Sequence, residues 1–218
     1  MQISKVRIAV VLAAVAGAST PALADFVVTQ SSDPAPTYAG HSVTFDEDDV
    51  PIGVNMDPFD FYAASDGISF TSGSGFLVAE NWDALEGIAG GTGDGNSLNG
   101  GFSVRMLFDT PVNEISWQGW ANGSPSPPLG GINVILFSEG VQVGAYSGVA
   151  PFAGPDNSWF NVVATGGDSF DEIRFFNGAF NSFNSYVDNI SYNNVPAPGA
   201  LALLGAAAFM GGRRRRNG

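Results

Sequence analysis

The chain has no cysteine and one histidine in 218 residues. Without thiols there is no disulfide framework, no thiolate metal site and no cysteine nucleophile. A lone imidazole, His41, cannot build a histidine metal cluster. No nucleophile elbow is present for it to serve in a Ser-His-Asp triad, so His41 reads as a strand-edge residue. Positive charge is almost as scarce. Of eight basic residues, six lie at the two ends: Lys5, Arg7 and Arg213 to Arg216. Between residues 25 and 194 only Arg105 and Arg174 are basic, and all 21 acidic residues fall there. Such a surface repels phosphate backbones and argues against nucleic-acid binding. There is also no repeat of the length that builds solenoids or propellers.

What the sequence does contain begins at its ends. Lys5 and Arg7 precede an uncharged apolar run from Ile8 to Ala18, too short to span a bilayer, and Ala22-Leu23-Ala24 is a small-x-small site. These are the parts of a secretory signal over residues 1–24, with a mature chain expected to begin at Asp25. At the other end, residues 195–218 form a three-part tail: Val195-Pro196-Ala197-Pro198, then Gly199 to Gly212 without charge, then Arg213-Arg214-Arg215-Arg216. The prolines break a preceding strand. The apolar part reads as a short stop-transfer helix, with the arginines held on the cytoplasmic side.

This tail resembles the PEP-CTERM sorting signal of Gram-negative bacteria. Val195, Pro196 and Pro198 match its motif, while Ala197 stands where glutamate is usual. The resemblance implies an exosortase-type membrane protease as partner, transient residence in the inner membrane through the C-terminal helix, and a final place at the cell surface or outside it.

Residues 25–194 read as an all-β body, expected to be a two-sheet antiparallel β-sandwich of jelly-roll type. Short apolar, aromatic and β-branched runs alternate with Gly- and Pro-rich turns. The runs are His41 to Phe45, Gly67 to Thr71, Gly75 to Val78, Gly101 to Phe108, Glu114 to Trp120, Ile132 to Ser138, Gln142 to Tyr146, Trp159 to Ala164, Glu172 to Asn177 and Ser185 to Tyr192. Ser138-Glu139-Gly140 reads as a hairpin turn. Strict alternation puts Ile115 with Trp117, and Tyr186 with Asp188, Ile190 and Tyr192. Ala79 to Ile88 is the one helical candidate.

The order of these runs, with Val43-Thr44-Phe45-Asp46 opening and Val187-Asp188-Asn189-Ile190 closing, resembles jelly-roll carbohydrate-binding-like domains. That resemblance implies a structural calcium joining the first and last strands, with Asp188 on the last and Asp46 or Glu47 on the first as candidate ligands. Clustered carboxylates suit a hard cation. Glu80, Asp83 and Glu86 have helical spacing around Trp82, not the strand spacing of a jelly-roll glucanase. Trp117 reads as core, and Trp120, opening a Gly- and Pro-rich loop, as a candidate sugar-stacking ring. The expectation is a non-catalytic exported cell-surface or matrix protein engaging exopolysaccharide. A carbohydrate-active hydrolase on the same fold is the alternative.

Overall fold

The computed structural model describes residues 26–31, 33–80, 95–122, 131–149, 158–177 and 184–195. The architecture is nearly all β, with 65% of residues in strands and 3% in helix. The elements in order are β1 (Phe26–Ser31), β2 (His41–Val43), a one-turn helix α1 (Ala63–Asp66), β3 (Ile68–Ser72), β4 (Leu77–Glu80), β5 (Ser97–Gly101), β6 (Ser103–Asn122), β7 (Gly131–Ser138), β8 (Val141–Val149), β9 (Ser158–Ala164), β10 (Phe170–Asn177) and β11 (Asn184–Asn194). They form one large antiparallel sheet with the main order β4-β5-β11-β6-β10-β7-β8.

The organising element is β6, which runs for 20 residues. The two runs read from the sequence as separate strands are its two halves. Its first half, Val104 to Phe108, pairs with β3 on one side and β10 on the other. Its second half, from Ile115 on, pairs with β9 and β11. Between them, the pairing with β10 jumps from Leu107↔Glu172 to Val112↔Phe170. Asp109, Thr110 and Pro111 sit exposed at this corner. Proline has no N–H to give a ladder and is tolerated at such a break. Its carbonyl still accepts the Val195 N–H at 2.8 Å.

The sheet therefore has two arms. One holds β3, the first half of β6, β10, β7 and β8. The other holds β1, β9, the second half of β6, β11, β5 and β4, with β2 also on β11. Alternation buries Val104, Met106, Phe108, Ile173 and Phe175 from the first arm and Ile115, Trp117, Phe160 and Val162 from the second, all in one apolar cluster. The arms meet through rings. Trp117 stacks on Phe160 at 5.1 Å, and Phe175 meets both edge-on, at 5.9 Å and 5.2 Å. Phe26 and Phe170 make a similar contact.

The expected hairpin at Ser138 is present. Glu139 and Gly140 both have positive φ, 51° and 76°, the backbone of a two-residue turn that matches strand twist. The helical expectation fails where it can be seen. Ala79 and Glu80 lie in β4, paired with Leu98 and Ser97 of β5, and 81–88 lie outside the described residues. Burial of Leu77, Val78 and Ala79 against a partner strand outweighs the local helical preference of Ala and Glu.

Gly119 tests the packing. A Cβ added there would lie 2.7 Å from the Phe175 ring tip and 3.1 Å from Trp117 Nε1. In an unconstrained strand, Gly→Ala gains about 0.5–1 kcal/mol. Here Gly119→Ala is expected to cost about 1–3 kcal/mol, because the ring it strikes is itself wedged. Urea denaturation checks it, and a variant as stable as wild type would show that the arms are not close-packed at this point.

Candidate functional site

The two basic residues of the body come together. Arg105 on β6 and Arg174 on β10 are direct cross-strand partners. Both belong to the outward set of their strands, opposite Val104, Met106, Ile173 and Phe175. Like charges facing each other in a sheet repel. Glu172, two residues before Arg174 and on the same face, lies diagonal to Arg105 and resolves the conflict. One oxygen, Glu172 Oε1, accepts from Arg105 Nε at 2.9 Å and Arg174 Nε at 2.6 Å, and lies 2.7 Å from Arg105 Nη2. Burial alone would raise the Glu172 pKa, but the hydrogen bonds and charges of Arg174 and Arg105 outweigh it and hold the carboxyl below its ordinary value. The Arg174 guanidinium also sits 4.0 Å over the Phe137 ring.

Beside this triad is a groove of about 280 Å³, lined by Arg105, Arg174, Phe102, Phe176, Ile135 and Ser103 together with Gly73. Phe102 is the single residue between β5 and β6. It has φ of 66° and is 38% exposed. A bulky side chain at positive φ is a strained arrangement that clusters at functional sites. The sequence showed that Arg105 and Arg174 were the body's only bases. Their convergence follows from a register that alternation alone does not reveal.

The expected calcium residues are placed differently from one another. Asp46 Oδ1 accepts the Asn96 N–H at 2.6 Å, anchoring the start of β5. Glu47 accepts the Tyr62 hydroxyl. Burial, then the Glu47 hydrogen bond and its charge, push that hydroxyl far above its ordinary pKa, and Asp188 adds to the effect. Glu47 and Asp188 thus both act on Tyr62, while Asp46 serves another partner. Among the described residues no group of three or more His, Cys, Asp or Glu is placed to hold a metal ion.

Asp188 is fully buried, but not on the face expected. β11 has a bulge: Asp188 pairs with Gln118 and Ser191 with Ser116, so three steps on β11 match two on β6. Asn189, at φ 48°, takes up the extra residue. Val187, Ile190 and Tyr192 therefore share the apolar core with Ile115 and Trp117. Asp188 lies on the opposite face with Tyr186, Ser191, Ser116 and Gln118, where its Oδ1 accepts the Asn189 N–H at 2.7 Å. This second face is buried and polar. Ser116 Oγ lies 2.9 Å from Ser191 Oγ and donates to the Pro36 carbonyl, and Tyr38 N–H donates to Ser191 Oγ.

The remaining candidates separate. His41 stacks on Tyr192, with Nδ1 3.3 Å from Asp66 Oδ1 and Nε2 3.1 Å from Asn194 Nδ2. Glu80 accepts from Asn99 Nδ2, and Trp82, Asp83 and Glu86 lie outside the described residues. Trp117 is core, as read. The Trp120 backbone pairs with Tyr186, and its side chain lies outside the described residues. Of the sorting motif only Val195 is described; Pro196, Ala197, Pro198 and Arg213 to Arg216 lie outside, as do residues 1–24. No helix among the described residues is long and apolar enough to cross a membrane. No protein-family model matches the chain, and comparison with curated proteins finds no match.

Glu172→Gln should destabilise the fold by about 1–3 kcal/mol, because it leaves two guanidinium groups face to face around a neutral amide. The lowered Glu172 pKa fixes the sign with pH. Its stabilisation is complete above the ordinary glutamate value and is lost as pH falls through the lowered folded-state value. The stability gap between wild type and variant should be constant near neutrality and close in acid. Denaturant titration across pH checks this, and a gap that widens in acid would contradict the pairing.

Proposed function

We propose that this chain is an exported, non-catalytic protein of the cell surface or extracellular matrix, sorted through its C-terminal tail and engaging exopolysaccharide. In this reading the two arms form a two-sheet sandwich of jelly-roll type, closed by the corner of β6. Residues 1–24 direct export. Residues 195–218 engage an exosortase-type membrane protease and pass transiently through the inner membrane.

The observation that carries the reading is the groove beside Arg105, Glu172 and Arg174. It pairs an exposed, strained aromatic with charged donors at a surface otherwise rich in acids. A polysaccharide-binding face needs this combination of ring surface and fixed polar groups. Glu172, the carboxylate that bridges the two arginines beside the groove, is poorly suited to general-acid work. A glycosidase raises the pKa of its acid, whereas Arg105 and Arg174 lower that of Glu172. The calcium implied by the resemblance is part of the proposal and not of the geometry, in which Asp46 and Glu47 serve different partners.

Two measurements test this. The intact mass of the secreted protein should correspond to a chain beginning at Asp25 and lacking Arg213 to Arg216. Recovery only of a form spanning Met1 to Gly218 would refute the sorting route. The secreted protein should also co-sediment with cell-surface polysaccharide without generating reducing ends. Reducing ends that grow with protein concentration would favour the hydrolase instead.

A further inference from the structure

Resting on the polysaccharide reading and narrowing it, we infer that the groove between Arg105, Arg174 and Phe102 takes a carboxylate-bearing sugar residue of an acidic polysaccharide. Arg174 spends Nε on Glu172, and Arg105 spends Nε and Nη2. Glu172 supplies their only hydrogen-bond acceptor among the described residues, so Arg105 Nη1 and both terminal nitrogens of Arg174 retain donors. The side chains are 36% and 39% exposed, and both line the groove.

Charge points the same way. Two guanidinium groups share one ionised carboxylate, which leaves one positive charge at the groove. A second carboxylate would neutralise it through the planar N–H edges that guanidinium presents to carboxylates. Arg174 is also held from behind by the Phe137 ring, so little side-chain freedom remains to be lost on binding.

Phe102 supplies the second half of the site. Its ring is exposed at the groove, and its backbone is held in a conformation that glycine would adopt without strain. An exposed aromatic beside a carboxylate clamp suits a sugar ring, which offers an apolar C–H face together with a charged substituent. The groove volume lies at the small end of ligand sites, which fits one ring of a longer chain.

The test is calorimetric titration of the mature secreted protein with oligogalacturonate, with a neutral gluco-oligosaccharide of equal length, and with sodium acetate. Oligogalacturonate should bind. Arg174→Gln should weaken it about tenfold or more, the cost of a charge-assisted contact. Phe102→Gly should weaken it similarly while its melting temperature stays level or rises. This combination separates a binding ring from a structural one. Equal binding of the neutral oligosaccharide, unaffected by Arg174→Gln, would overturn the carboxylate inference and leave the polysaccharide reading standing. Acetate competing as well as the oligomer, residue for residue, would overturn the sugar part. If neither these sugars nor cell-surface polysaccharide bind, both readings fall.

Discussion

A strand of 20 residues that must belong to two arms of a sheet cannot remain straight, and the corner at Asp109–Pro111 is where β6 gives way. Strands twist, and a long flat one would leave one face without a partner layer. By breaking register with β10 at this corner, β6 brings Trp117 and Phe160 of one arm against Phe175 of the other. The inward residues of both arms then share one apolar cluster. Without the corner, the inward residues of β10 and β9 would not face the same cluster.

The same constraint assigns the outward faces. With Val104, Met106, Ile173 and Phe175 committed to the core, Arg105, Glu172 and Arg174 can only point away from it. Register makes the arginines direct neighbours, and the Glu172 oxygen that joins them is the local answer to that repulsion. Phe102 is placed by the same chain path. β5 must leave β11 and enter β6 within one residue, and the backbone reverses there through a positive φ.

Most of the strands could be read from alternation, because burial on one face leaves a period-two trace. β7, β8 and their turn are clear examples, since Glu139-Gly140 carries the turn chemistry and the flanking runs are β-branched. β5 left no such trace. Its sequence, Ser97-Leu98-Asn99-Gly100-Gly101, lacks alternating apolar residues. It is a strand because β4 and β11 pair with it on both sides. Its glycines reflect crowding, since a Cβ on Gly100 would come within 2.5 Å of the Ser103 carbonyl oxygen. The bulge at Asn189 was equally hidden. One inserted residue moves Asp188 to the face opposite Ile190 and Tyr192, and nothing in the composition of Asp188-Asn189-Ile190 announces it. The candidate site was half legible for the same reason. Scarcity singled out Arg105 and Arg174, but contact between residues 69 positions apart is a property of register.

The two electrostatic features of the body act over different distances. Its many acids create a repulsive field toward anions that screening confines to roughly 8–10 Å at physiological ionic strength. The guanidinium donors at the groove act within hydrogen-bond reach, where screening is weak. In the proposed reading any polyanion meets the long-range field, and an acidic polysaccharide offsets it where a carboxylate enters the short-range clamp while its sugar ring lies on Phe102. Placing both bases of the body on one spot, bridged by one carboxylate and edged by Phe102, then lets an acidic protein select an anion by the group that carries the charge instead of by total charge.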